Sequence, residues 1–490
     1  MPDLLILLFI PLFSSLFFFL SSRAWKPAAI ILSSLPLAFL VYHHNDWVGQ
    51  QFSVPWVPAL QINFDLRCDS LSLLFLYLTA VIVPIGVAAL PTARLAYPGI
   101  FLGLIFLLQG LLFGFFTAAD LVLFAVFWEA ILLPLYFMIT LFGGPQRDQA
   151  ALKFIIYMVA GSALMIAAIL ALYFTAASMQ GGLGTFNLEA LASIAPHLPW
   201  AMGISALFVL AFAVKTPLFP FHGWLPEAYY QASTVGTIFL AALLSKAGIY
   251  GFFRIGGGLF PEQMILWNPW LLGLAVTGTL YGAFAAWQQE DLKKVIAYSS
   301  LSHVNFILVG VFLWSALAHQ GSLLQVINHG VTITALFLSV SWLKERTGTT
   351  SIKHLGGLAK IFPYLCWTTL IFVLSSIALP GMNNFVGEFM IFLAFFKQNI
   401  IATAILVTTV ILSVVYMLRW MQRVYFGPLH VPHNISGDLS IKEMVISLPL
   451  LILIFWIGIN PMPALKVAEA ATINFDAETQ KTQISAERGR

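Results

Sequence analysis

The sequence predicts an all-α polytopic membrane protein of about fourteen transmembrane helices. Composition is the first reason: of 490 residues, 60% are hydrophobic and only 9% are charged, far from the mix of a soluble domain. Continuity is the second. A span needs about 20 apolar residues, and fourteen runs of that kind lie at about 3–21, 25–43, 70–90, 98–118, 120–142, 152–177, 201–219, 235–257, 268–288, 294–315, 319–343, 361–398, 399–425 and 444–462. Only helices and closed barrels satisfy their backbone in lipid. A barrel would show short alternating segments, and these runs do not alternate. The third reason is the placement of positive charge, taken up below.

In chain order, the first run follows Met-Pro-Asp, and its positive charges, Arg23 and Lys26, come after it. A signal peptide has the opposite order, so this run reads as a retained helix. The polar stretch 44–69 reads as a small extramembrane hairpin and 178–200 as another external loop. The seventh run is interrupted by Lys215-Thr216-Pro217, where proline removes a backbone donor and breaks the helix. The twelfth is too long for one straight helix and contains Leu-Pro-Gly-Met-Asn-Asn at 379–384, so two half-helices are expected. Residues 463–490 are polar and of mixed charge, as in a short helix with a frayed end. Cys68 and Cys366 cannot hold an iron–sulfur cluster, which takes about four thiolates, and nothing argues that they pair.

Orientation follows from lysine and arginine. With the N-terminus outside, the inside loops hold Arg23, Lys26, Arg94, Arg147, Lys153, Lys293, Lys294, Lys344, Arg346, Lys353, Lys360, Arg419, Arg423 and Lys442, which is fourteen. The outside loops and tail hold seven: Arg67, Arg254, Lys397, Lys466, Lys481, Arg488 and Arg490. Both termini are therefore expected on the outer face.

The remaining two of the 23 basic residues, Lys215 and Lys246, lie inside apolar runs. A lysine in hydrocarbon costs a few kcal/mol, so it marks either a snorkelling side chain or a proton or ion path. Only two acids, Glu129 and Glu388, fall within spans, and two histidines, His303 and His329, are mid-span. A lone core histidine is often only a satisfied polar group. Two buried acids and two buried lysines, however, can balance one another as solitary charges cannot. The broken seventh and twelfth spans each carry a charge near the break. If spans four to eight and nine to thirteen are repeats, the fifth and tenth correspond and carry Glu129 and His303. Paired discontinuous helices point to a midplane transport path.

These residues lie in Phe-Trp-Glu-Ala-Ile-Leu-Leu-Pro-Leu around Glu129, Val-Lys-Thr-Pro-Leu-Phe-Pro-Phe-His-Gly-Trp-Leu-Pro-Glu-Ala around Lys215, and Leu-Leu-Ser-Lys-Ala-Gly around Lys246. The set continues with Ser-Ser-Leu-Ser-His-Val-Asn-Phe around His303, His-Gly-Val-Thr-Ile-Thr around His329 and Asn-Asn-Phe-Val-Gly-Glu-Phe around Glu388. Over roughly 70–430 the chain resembles the chain M (chain 4) family of antiporter-like membrane subunits of respiratory complex I, the proton-pumping NADH:quinone oxidoreductase. The resemblance implies inverted five-helix repeats with helices 7 and 12 broken. The divisions are then 1–97 (helices 1–3 and the hairpin), 98–257 (first repeat), 258–425 (second repeat) and 426–490 (last helix and tail). It implies proton translocation through Glu129, Lys215, Lys246 and Glu388, with His303 and His329 in the polar axis and His222 at a candidate inside entry; the place of Glu388 just after the Leu-Pro-Gly break, in a half-helix, puts it at the outward end of that axis. The acid in Phe-Val-Gly-Glu-Phe favours the chain M type, because sister subunits carry lysine there. One departure stands out: the family continues Leu-Pro-Asp-Ala-His and a proline turn, whereas this chain has Leu-Pro-Glu-Ala-Tyr, with Glu227, Tyr229 and Ser233.

The sequence holds no phosphate loop, no Gly-x-Gly-x-x-Gly turn and no Cys/His metal cluster. Under the resemblance NADH, FMN, Fe-S clusters and quinone belong to partner subunits, and no cofactor or metal to this chain. Its partners are the other membrane-arm subunits and the lipid bilayer, not nucleic acid, in a bacterial inner membrane. Two rival functions are a subunit of a multisubunit Na+/H+ antiporter or membrane-bound hydrogenase, and a structural subunit whose buried charges only set helix register. For topology, a reporter fused after Arg490 should read the outer face and one in the 344–360 loop the cytoplasm; a cytoplasmic signal from the C-terminal fusion would reverse the assignment.

Overall fold

A computed structural model of the chain describes residues 3–21, 25–44, 46–430 and 437–472. Arg23, Lys481, Arg488, Arg490 and the expected frayed end lie outside these residues, and the short tail helix is present at 462–472. The helices are α1 (Asp3–Leu20), α2 (Lys26–Tyr42), α3 (Ser70–Ala89), α4 (Pro98–Thr117), α5 (Leu121–Ala130), α6 (Leu132–Phe142), α7 (Arg147–Gln180) and the short α8 (Leu188–Ala192). They continue with α9 (Ala201–Lys215), α10 (Leu225–Gln231), α11 (Thr234–Phe239), α12 (Ser245–Gly251), α13 (Pro261–Gln288), α14 (Leu292–Phe312), α15 (Ala316–Thr347), α16 (Pro363–Ser376), α17 (Asn383–Gln398), α18 (Ile400–Trp420) and α19 (Ile441–Ile459). The stretch 44–69 forms a hairpin, β1 (Gln51–Val57) antiparallel to β2 (Ile62–Arg67). Among the described residues eleven helical segments are long and apolar enough to cross a membrane, and three shorter apolar ones, α2, α9 and α16, fall on predicted spans two, seven and twelve.

The chain packs as two compact units. One comprises the residues up to Thr216 with Lys246–Trp270 and the segment from Val467; the other comprises Pro217–Ser245 and Leu271–Lys466. In the first, α4 packs on α1 and α3. Three of its four glycines approach α1, and the fourth, Gly114, faces Phe127: a Cβ at Gly110 would meet Leu12 Cδ2 at 2.7 Å, and Ser15 Oγ donates to the Gly103 carbonyl at 2.8 Å. Close approach through small residues is how helices associate where water cannot drive them together. In the second, α15 is the central helix and is packed by α14, α16, α17 and α19. Outward faces are apolar, as at Ile411 on α18 and Ile441 on α19.

Helix starts are set by caps. Asp69 accepts from Ser72 N at 2.8 Å at α3, Asp120 from Val122 N at 2.8 Å at α5, and Asp291 from Lys293 N at 2.9 Å at α14. Ser440 and Glu443 form a capping box at α19. The caps of α5 and α14 share a further device. Leu121 N donates to Phe186 O and Leu188 N to Ala119 O; likewise Leu292 N donates to Thr350 O and Ile352 N to Glu290 O. The same two-bond bridge thus ties each capping acid to the segment following the next long helix, giving the correspondence of spans five and ten a backbone counterpart.

Both expected breaks are present. Span seven stops at Lys215, and span twelve divides into α16 and α17 around Gly381, whose φ of 90° only glycine adopts easily. Two interruptions were not expected. Span five divides at Ile131, because Pro134 has no N–H for the Ala130 carbonyl. Span eight contains two stretches with the wider i→i+5 bonding, Leu240–Leu244 and Phe252–Gly257, on either side of α12.

Arg254, counted above with the outside loops, instead lies in the last turn of span eight. It forks onto Asp69 with bonds of 2.5 and 2.7 Å and donates to Ser72 Oγ at 2.9 Å and to Tyr250 Oη at 2.9 Å. Burial works to raise the Asp69 carboxyl, but Arg254 and the Ser72 donors outweigh it and hold it well below the usual carboxylate range. With its folded value depressed, Asp69 stabilises the fold fully above about pH 4 and loses that contribution as pH falls below it. Arg346, also placed in a loop above, is likewise in the last turn of α15 and pairs with Glu443 at 2.6 Å. Replacing Arg254 by Met should cost about 1–3 kcal/mol, because Asp69 is left without its cation. Thermal unfolding of the assembled protein should show a lower midpoint, partly restored by adding Asp69→Asn.

Candidate functional site

The first cluster is built at the end of α9, in the first unit. Lys215 is 2% exposed. Its Nζ donates to the Trp128 carbonyl oxygen at 2.8 Å and stands 3.6 Å from the centroid of the Trp128 ring. Trp128 is the neighbour of Glu129 on α5, and the Glu129 carboxylate acts on the ammonium through space. Among the described residues no direct ion pair joins the two within 4.0 Å, and the buried Glu129 Oε1 accepts no hydrogen bond. Lys246 is 0% exposed on α12. That helix comes against the end of α9 because residue 248 is glycine: a Cβ there would meet Phe212 O at 2.8 Å and Thr216 N at 2.9 Å.

The second cluster lies in the second unit, between α14, α15 and α17. Glu388 is 7% exposed, and its Oε1 lies 3.4 Å from His303 Nδ1. Gln325 Nε2 donates to the same oxygen at 3.2 Å. The His303 and His329 rings are 5.9 Å apart. A cavity of about 10 Å³, large enough for about one water, lies against this pair and carries the hydroxyls of Thr279, Ser302, Thr409 and Ser413.

The broken backbone is bound by side chains. Asn305 on α14 donates to Pro217 O at 3.1 Å and accepts from Phe219 N at 3.3 Å. At the other break Asn384 Nδ2 donates to Ser375 O at 2.8 Å, Ser375 Oγ to Asn383 Oδ1 at 2.6 Å, and Asn328 Nδ2 to Asn383 O at 2.6 Å.

The structure therefore brings Glu129 and Lys215 together in one cluster and His303, His329 and Glu388 in another. His222 is half-buried on the connection from α9 to α10, stacked on Phe219 and 4.7 Å from the Tyr281 ring. Tyr229, at the departure from the family pattern, is buried and donates to Leu240 O at 3.1 Å, where the wide-bonded stretch begins; Ser233 caps α11. Sequence reasoning missed Trp128, Asn305, Gln325, Asn328 and Thr332. The last three, with His329, form a polar stripe at i, i+3, i+4 and i+7 on α15, a signal visible in the sequence. Among the described residues no three His, Cys, Asp or Glu side chains gather as a metal site would require.

The family model described as "NADH:quinone oxidoreductase/Mrp antiporter, TM" matches residues 118–413. The chain is 37% identical over 436 residues to NADH-quinone oxidoreductase subunit M of Escherichia coli (strain K12), across 86% of this chain and 84% of that one. Among solved structures it superposes with a TM-score of 0.88 at 31% identity on a chain of respiratory complex I from Thermus thermophilus with bound NADH, covering 97% and 99% of the two chains. A chain of the Mrp complex from Dietzia sp. DQ12-45-1b matches with a TM-score of 0.87 over 98% of both chains, at 22% identity, a likeness of fold alone.

The Trp128 ring supports the ammonium in addition to the backbone carbonyl, a contact worth about 0.5–2 kcal/mol. Trp128→Leu should lower proton pumping by the assembled complex several-fold and Trp128→Phe much less. Equal losses in the two variants would assign the effect to packing.

Proposed function

The chain belongs to the NADH:quinone oxidoreductase/Mrp antiporter transmembrane family, and we propose that it is the proton-translocating membrane subunit of an NADH:quinone oxidoreductase. In this reading redox chemistry in partner membrane-arm and peripheral subunits, with their NADH, FMN, Fe-S clusters and quinone, drives proton transfer through buried groups here. The chain sits in a bacterial cytoplasmic membrane with both termini outside. The observation that carries the reading is Lys215: a fully buried ammonium at a helix break, held by the Trp128 carbonyl while Oε1 of the adjacent Glu129 accepts no hydrogen bond.

That arrangement has two states. With Lys215 on the Trp128 carbonyl, its charge is compensated by a dipole, a ring and a nearby carboxylate. Rotation of its long side chain to Glu129 makes a direct ion pair, which favours the charged form, whereas separation from Glu129 favours loss of the proton. Lys246 on the packed α12 is the next basic station. In the other unit Glu388 and His303 form the second exchangeable pair, with His329 beside them. Titration in such sets belongs to the group of residues rather than to one of them. Tight burial keeps transfer within the set, since a stranded charge costs several kcal/mol.

A Na+/H+ antiporter subunit is the competing assignment, supported by likeness of fold. The subunit list of the purified complex separates the two. Within the complex, Glu129→Gln and Glu388→Gln should each assemble and lose most redox-driven proton uptake into vesicles, while Glu129→Asp keeps part of it. Normal uptake by Glu129→Gln would remove the pair from the path, and loss of assembly would assign the charges a structural role.

A further inference from the structure

We propose that Gln325 is a positioning residue that transmits the geometry of the span-twelve break to Glu388 through a hydrogen-bond chain of fixed direction. This rests on the reading of Glu388 as a proton-exchanging group. The chain begins at the Ser375 carbonyl, one of the last carbonyls of α16, which accepts the Ala378 N–H at 3.1 Å in the closing turn and has a second lone pair for a side-chain donor. A carbonyl can only accept, so Asn384 must turn its Nδ2 toward it, at 2.8 Å; the same amide donates to Thr332 Oγ1 at 3.1 Å. Asn384 Oδ1 then faces α15 as an acceptor. Gln325, 0% exposed, must present Nε2 to it, at 3.0 Å, and that nitrogen's second hydrogen goes to Glu388 Oε1 at 3.2 Å. The approach is possible because residue 387 is glycine: a Cβ there would meet Gln325 Oε1 at 2.7 Å.

Directionality is the consequence. A free amide could turn its oxygen to a protonated carboxyl and its nitrogen to an ionised one. Gln325 is denied that choice by Asn384, so it donates to Glu388 and favours the carboxylate. Moving α16 relative to α17 would release Asn384, free Gln325 to rotate and remove that preference. The other groups facing Glu388 are His303 from α14, His329 behind it from α15, and Tyr416 from α18, whose Oη donates to Ser299 at 2.9 Å. Among the described residues α16 and α19 bring no charged side chain into contact with it.

The test is an infrared titration of the assembled complex, following the protonated-carboxyl band that disappears in Glu388→Gln, alongside proton uptake. Gln325→Met keeps the shape and removes the donor. Its band should titrate about one pH unit or more higher than in the wild type, and the acid side of the uptake profile should move the same way. Gln325→Asn, too short to reach both partners, should move it in the same direction and is read alone if the Met variant does not assemble. An unshifted band in an assembled variant overturns the proposal, and so does failure of both variants to assemble, which would make Gln325 structural. If Glu388→Gln itself pumps normally, the functional reading of Glu388 fails instead.

Discussion

The structure depends on one constraint: a helix interrupted inside a membrane leaves backbone groups that water cannot reach, and side chains must take them. Asn305 does so after Lys215, binding a carbonyl and an N–H with one amide. Asn384 does so at the other break by donating to the Ser375 carbonyl, and the Asn383 and Asn328 amides tie the start of α17 to α15. Tyr229 supplies a hydroxyl to the Leu240 carbonyl where the regular bonding ladder of span eight widens. These three interruptions therefore import polar side chains into an apolar bundle, and those polar pockets are where buried charge becomes tolerable.

The two clusters use that tolerance differently. Lys215 is compensated by a carbonyl and an aromatic face, with its acid close by but not in contact. Glu388 is compensated by a titratable ring and by an amide donor. Neither is a saturated ion pair of the kind Arg254 makes with Asp69 or Arg346 with Glu443. Those two arginines each donate to both oxygens of a carboxylate and fix helix ends. Partial compensation leaves a group able to exchange its partner, and saturation removes that ability.

Much of the fold was legible because burial in lipid writes itself as long apolar runs, and the fourteen runs recur as helices with ends moved by a few residues. Both proline breaks were legible, as were the six candidate charges and histidines, because ionisable residues are so rare in these runs. The break at Ile131 was carried by Pro134 but hidden by a run of the right length. The wide-bonded stretches beside Lys246 were not legible, since Leu-Ala-Ala-Leu-Leu is an ordinary helical sequence. The contact of Lys215 with the Trp128 backbone could not be read either, because every residue has a carbonyl. The polar stripe of α15 is readable in the spacing of Gln325, Asn328, His329 and Thr332, although only its histidine is ionisable.

The paired bridges refine the internal repeat. They equate Asp120 with Asp291 as caps of equivalent helices. Glu129 follows its cap by nine residues and His303 follows its own by twelve, so His303 lies nearly one turn further along, about 4.5 Å at 1.5 Å per residue. Ser300, not His303, is the counterpart of Glu129. The spans correspond as the charges suggested, but the charged residues do not superimpose within them. Nor do their signs agree. In the first unit the span after the cap carries the acid and the broken helix ends in the base. In the second the span after the cap carries the basic ring and the broken helix carries the acid. One scaffold, with the same caps, bridges and breaks, thus holds two pairs of opposite polarity. In each pair one partner stands on the capped span and the other beside the proline break, and the scaffold leaves open which is the acid.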